Sequence, residues 1–299
     1  MNLPRHPVQD DENTLPRMPS WVTPLRGQAL EDVAFLSGAA LGHLHLVLTH
    51  RSVPLPLLRN RLALGAAEAC VTVSGRPERA ADLRDEVALL RAGDQAGPAG
   101  QVYQMWLRAV ERTIAVKSLC RALPHVAPEQ IAVWLDSGDV GQGGPVGRAA
   151  LVLETVLTDA PRSEAAGLML ADAALAQALG WDHIVPIVAK GLARRDLRKT
   201  GDALRLACHG AVVASAIGAV RMANDLARRT VRLRAVAPKL RAKGSDAAVE
   251  MFLTRDAVAP TALTSLGSDR AARRFCDRLV ELGVARELTG RETFRLYGI

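Results

Sequence analysis

From Ser245 to Ile299 the spacing of caps, apolar residues and turns leaves few folds open. Ser245-Asp246 can start an amphipathic helix carrying Val249, Phe252 and Leu253. Pro260 stands where a first-turn proline is tolerated, opening a short second helix through Leu263 and Leu266. Gly267 turns the chain, Ser268 is a good N-cap and Asp269 puts an acid in the first turn of a third helix. That helix sets Ala272, Phe275, Leu279 and Leu282 on one face and ends at Gly283. Val284, Arg286 and Leu288 then alternate with Ala285, Glu287 and Thr289, and Gly290 returns the chain through Thr293 to Tyr297. Three helices followed by strand, turn and strand is the layout of a winged helix-turn-helix with a small β-hairpin.

The other faces of the third helix carry Arg270, Arg273, Arg274 and Arg278, and the hairpin carries Arg291 and Arg295. Arginines on a helix beside a basic hairpin suit a nucleic-acid duplex, with helix three entering the major groove. Asp277 and Glu281, three and four residues away, offer these arginines local partners instead. From Gly244 onward Lys/Arg and Asp/Glu are equal at eight each, so this part is neutral.

Net positive charge comes from elsewhere. The chain carries +7, yet residues 190–243 alone hold fourteen Lys/Arg against three Asp/Glu. Within that block Arg228, Arg229, Arg232, Lys239, Arg241 and Lys243 are candidates for nonspecific phosphate contacts. A solvated helix face, or one docked on the acidic N-terminal part, is the alternative. Few aromatics accompany these residues, which argues against a stacking platform for single strands.

Alanine and leucine dominate the first four-fifths, and aromatic residues make up only 3%, a composition for an all-helical, multi-helix bundle-like body. Apolar periodicity predicts helices at 28–49, 55–73, 77–91, 99–122, 128–137, 145–158, 163–180, 184–195 and 201–236, parted by prolines and glycines. Residues 1–27, rich in proline and charge, read as a mobile arm, 28–240 as the helical domain and 245–299 as the winged helix. Ala207, Gly210, Ala211, Ser215, Gly218 and Ala219 would let another helix approach the long helix closely. Leu206–Val220, the longest nearly uncharged stretch, is too short to span a bilayer, and no signal peptide opens the chain, so no membrane association is expected.

Chemistry in the body is sparse. His43 and His45 point to different helix faces, and no carboxylate lies between His43 and His50, so no metal site is expected. The glycine-rich Gly138–Pro145 lacks the lysine and preceding strand of a phosphate loop and reads as a connector. Cys70, Cys120, Cys208 and Cys276 stand far apart, as reduced residues of a cytoplasmic protein. No G-x-S-x-G or H-E-x-x-H motif is present, so no catalytic residue and no cofactor are assigned.

Two resemblances complete the reading. The string from Ser268 to Gly283, continuing through Ala285–Gly290 and Phe294–Tyr297, resembles the C-terminal winged helix of Fic-family bacterial proteins. The histidine-proline-phenylalanine catalytic loop of that family is absent, so AMP transfer is not implied. The chain as a whole, including Ala237–Gly244 and Leu179–Asp182, resembles a bacterial family known only as domain of unknown function 1403. Together these readings point to a DNA-binding or transcription-related protein whose body binds a partner protein, an effector or a second copy of itself. The competing reading is a helical scaffold whose winged helix grips protein; an enzyme with a helical pocket comes third.

Overall fold

Proline placement explains where four of the helices begin. A computed structural model describes residues 15–24, 29–91, 93–139, 143–240, 242–291 and 293–299. Its first helices are α1 (Leu30–Leu48), α2 (Leu55–Val73), α3 (Ala80–Ala88), α4 (Pro98–Glu111), α5 (Val116–Ala122) and α6 (Pro128–Asp136). The body continues through α7 (Pro145–Asp159), α8 (Glu164–Ala178), the single turn α9 (Val188–Gly191) and the 36-residue α10 (Gly201–Val236). Helices α2, α4, α6 and α7 carry proline in their first two positions, where no intrahelical N–H is required. The C-terminal part holds α11 (Ser245–Thr254), two 3-10 turns (Pro260–Ala262 and Thr264–Leu266), α12 (Asp269–Glu281) and the antiparallel strands β1 (Arg286–Glu287) and β2 (Tyr297–Gly298).

At the centre lies α8, buried from Ala166 to Ala176 on every side because its sequence is apolar all round. Helices α7, α6 and α9 pack on it, and α10 crosses α1, α7, α9 and α2. By length and composition alone α10 could cross a bilayer, its most apolar window having a mean hydropathy of 1.6, but half of that window is buried inside the body. Part of the small-residue pattern has a clear cause. A Cβ on Gly191 would sit 2.5 Å from the Ala211 carbonyl oxygen and 2.7 Å from Ser215 Oγ, so α9 touches α10 backbone to backbone. Gly210 and Gly218 instead face open space.

One polar residue enters this core. Asp172, in the middle of α8, has no exposed surface. Its Oδ1 accepts from the N–H groups of Ile187 (3.0 Å) and Val188 (2.8 Å), and its Oδ2 from Ala189 (3.0 Å). A side chain on one helix therefore caps the start of another. Burial, outweighing these donors, pushes the carboxyl from 3.8 up to about 7.

Several expectations change on folding. The helix expected over 99–122 is two, α4 and α5, because Arg112 turns extended and the Ile114 N–H goes to the Asp182 carbonyl at 2.9 Å. The stretch 184–195 keeps only α9, since Asp172 takes the N–H groups that would have continued a helix backwards. The arm expected over 1–27 is docked where it is described. Leu15 and Val22 are core residues, and His43 Nε2 lies 3.0 Å from the Pro16 carbonyl. Residues 1–14 and 25–28 fall outside the described residues, as do 140–142 of the glycine-rich connector. Near 237–245, where a boundary is expected, the 3-10 turn Ala237–Lys239 follows α10, α11 packs on α2, and a single apolar core runs through both parts. Gly244 makes that passage at φ +83°, and a Cβ there would strike the Ser265 carbonyl.

Asp172→Ala should cost about 3 kcal/mol or more, because three buried N–H groups lose their acceptor. The Asn variant isolates the charge. With its folded pKa raised, Asp172 holds a proton that the unfolded chain has released between about pH 4 and 7, so its contribution falls as pH rises through that window. His209, lowered from 6.5 to about 4 by burial and then by Arg205, acts in the opposite direction in both proteins. Urea unfolding at two pH values should show the wild type losing more stability from pH 5 to 7 than Asp172→Asn. Equal losses would mean that Asp172 titrates as an ordinary carboxyl.

Candidate nucleic-acid interface

Helix α12 forms because its ends and its inner face agree. Ser268 Oγ accepts the Ala271 N–H at 3.3 Å, and Gly267 at φ +77° turns the chain into that cap. Ala272, Phe275, Cys276 and Leu279 are buried, while Leu282 is half-buried. They pack on the two 3-10 turns and on β1. Burying this face leaves Arg270, Arg273, Arg274 and Arg278 exposed. Arg278 pairs with Glu281 at 2.9 Å, both exposed, and an exposed pair of this kind contributes little to stability. Asp277 accepts from the Tyr297 hydroxyl at 3.3 Å, which ties it to β2.

The expected second helix is instead two 3-10 turns, and the strands are two residues each rather than five or six. Sequence reasoning also missed Val258, which exchanges backbone hydrogen bonds with Tyr297 at 2.8 and 3.0 Å. A one-residue bridge carries no alternation, so no periodic signal announced it. The turn of the hairpin is held by Glu287, whose carboxylate accepts from the Thr289 N–H (2.7 Å) and the Gly290 N–H (2.8 Å).

Between α12 and the hairpin opens a cavity of about 570 Å³, lined by Pro260, Arg273, Asp277, Thr293, Phe294 and Arg295. Phe294 stands at φ +55°, a conformation that costs a side-chain-bearing residue about 1–2 kcal/mol, and the residue is 63% exposed. An aromatic ring held in strained backbone and turned to solvent is an arrangement that packing does not explain. Arg295 is exposed and donates to the Arg291 carbonyl. Arg291 is drawn to the body, 3.8 Å from Asp85 on α3.

The body fixes this unit through α2 and α3. Arg61 Nε donates to Asp256 at 2.7 Å, and the same guanidinium donates to the Ile299 carbonyl. Arg84, paired with Asp85, reaches the Leu288 carbonyl at 3.3 Å.

Of the basic block, Arg228, Arg232, Lys239 and Lys243 are exposed, so these residues are not docked on the acidic part of the chain. Arg229 is half-buried and shares Asp225 with Arg228. Arg241 lies outside the described residues. Lys190 belongs to the body, its stem packed on Gly65. Arg286 on β1 is held below the usual arginine range by burial, then by Arg229 and Arg61, so α10 and the hairpin share one basic neighbourhood.

The family is shown by the whole chain, since a family model matches residues 6–299. The chain belongs to the family described as protein of unknown function (DUF1403). Among curated proteins none matches it. The match takes in the DUF1403 body and its C-terminal part together and lends no support to a Fic relationship.

Histidines of the DUF1403 body are engaged singly. Ser37 Oγ, buried on α1 and donating to the Ala34 carbonyl, lies 2.6 Å from His209 Nδ1. Trp181 donates to His45, and His50 pairs with Ser52. Among the described residues no three His, Cys, Asp or Glu side chains converge on a metal-sized site.

Replacing Phe294 with Gly removes the left-handed strain and adds the unfolded-state freedom of glycine. The net gain should be about 0.5–1 kcal/mol, read as a rise in the urea midpoint. A loss of stability would show that the exposed ring packs usefully after all.

Proposed function

We propose that the protein binds duplex DNA through a winged helix-turn-helix formed by α11, the two 3-10 turns, α12 and the hairpin. Four exposed arginines on α12, opposite a fully buried face, carry this reading. The order of elements agrees with it. Val258 and β1 both pair to the returning strand, and a helix, a bridge residue, turns, a helix and a hairpin follow in the order this reading needs. In this reading Arg270, Arg273, Arg274 and Arg278 approach bases and phosphates, and Arg295 the backbone. Arg228, Arg229, Arg232, Lys239, Arg241 and Lys243 add sequence-independent attraction. Such a role implies a cytoplasmic protein acting on transcription or on DNA maintenance.

A second reading, protein recognition by the same unit, is favoured by the cavity beside Phe294 and by the engagement of Arg278 with Glu281. Fluorescence anisotropy with a duplex separates the two. If about five phosphates are neutralised, log K should fall against log salt with a slope of roughly −4 to −5. No binding at low salt would end the DNA reading.

The two arginine sets should differ in kind. Arg273→Ala or Arg274→Ala should cost about 1–3 kcal/mol on a preferred site and relax its sequence preference. Arg228→Ala with Arg229→Ala should weaken binding evenly across sequences, because phosphate contacts carry no sequence information. Should both sets leave DNA affinity intact while abolishing a protein complex, protein recognition is the function.

A further inference from the structure

Three large apolar side chains cluster on the outer face of α1. Phe35 is 68% exposed, Leu46 60% and Trp21 55%. Trp21 stacks on Phe35 with centroids 5.8 Å apart, so the two rings form one plateau. Phe35 and Leu46 are eleven residues apart, about three helical turns, and therefore stand on the same line of the helix. Between them that line carries only Ala39 and Gly42, with Gly38 beside it, and a Cβ on Gly38 or Gly42 would meet nothing within 4 Å.

We infer that this face pairs with the same face of a second copy of the chain, the two α1 helices running antiparallel about a two-fold axis between Ala40 and Leu41. The face is self-complementary under that operation and under no parallel one. It sets Phe35 against the partner copy's Leu46, and brings the small residues Ala39 and Gly42 together where the helices cross. The ends match in charge as well. Exposed Glu31 and Asp32 in the first turn come opposite the exposed Arg51 that follows the last turn, and the helix dipoles oppose favourably. A parallel pairing would stack Glu31 and Asp32 on their own copies. A closed two-fold contact of this kind is the commonest form of self-association. Beside Gly42 and His45 lies an apolar cavity of about 810 Å³ that gives a bulky incoming side chain room to seat.

Sedimentation equilibrium of the full chain tests this. The wild type should be a dimer at micromolar concentration. Leu46→Glu should weaken it about tenfold or more while keeping the wild-type thermal midpoint when dilute, because Leu46 makes little contact within one copy. Gly42→Leu, which its own protomer has room for, should prise the pair apart without adding charge. Arg51→Glu should weaken dimerisation about three- to tenfold, and Glu31→Arg with Arg51→Glu should restore it, an outcome specific to the antiparallel arrangement. A monomeric wild type at 100 µM overturns the inference, as does a dimer indifferent to Leu46→Glu and Gly42→Leu. A monomer that Leu46→Glu destabilises also overturns it, and assigns the face to another segment of the same chain.

Discussion

Asp172 is the interaction on which the body depends. A carboxyl placed at the centre of an otherwise apolar helix would be strongly disfavoured without partners, and among the described residues no cation pairs with it. Its partners are the three N–H groups that open α9, and these can be reached only if α9 lies directly against α8. The same contact places Gly191 against the backbone of α10 at a distance that no larger residue would permit. Three helices are thus fixed by one side chain and one missing side chain. Apolar packing alone specifies such contacts loosely, because alanine- and leucine-rich faces slide past one another with little change in buried area. A polar group that must find its donors has one solution.

The attachment of the C-terminal part follows the same logic with charge in place of a cap. Arg61 on α2 bonds both to Asp256 and to the last carbonyl, so two points of the unit meet one guanidinium. Arg84 and Asp85 then hold the hairpin at Leu288 and Arg291. Breaking a largely buried pair by removing one partner is expensive, which favours a fixed orientation of α12 relative to the body. The body thereby decides what α12 can approach, and it leaves the arginine face of that helix open.

Legibility in the sequence varied with the kind of signal. Helices with apolar spacing and proline starts, such as α2, α6 and α7, were readable to within a residue or two. The caps of α12 were equally plain, since Ser268 and Gly267 act locally. What stayed hidden was non-local. Nothing in Arg112–Ala115 announces a helix break, because the cause is the Asp182 carbonyl some seventy residues on. Nothing near Ile187 shows that a carboxylate on another helix will shorten α9. The bridge at Val258 and the left-handed Phe294 are single-residue events without a period. For the candidate interface, the exposure of the arginines followed from helix phase alone, whereas the capture of Arg291 by Asp85 needed the tertiary contact.

The neutrality of residues 244–299 is the strongest objection to a DNA interface, and its weight depends on where the carboxylates sit. Fixed charges act on phosphate over about 8 Å at physiological ionic strength, so position outweighs a tally. Asp256 lies in the interior with Arg61, and Glu287 is spent on the backbone of the hairpin turn. Asp277 turns toward Tyr297, leaving Glu281 as the carboxylate paired with an α12 arginine. Arg286 on β1 lies within electrostatic reach of Arg229 on α10, the helix that also exposes Arg228 and Arg232. Counted by what solvent meets, the described residues after Gly244 expose eight arginines against the five carboxylates Asp246, Glu250, Asp269, Asp277 and Glu281, a modest positive excess. A unit that is neutral in composition can therefore still attract a polyanion, provided the body lends it the basic flank of α10.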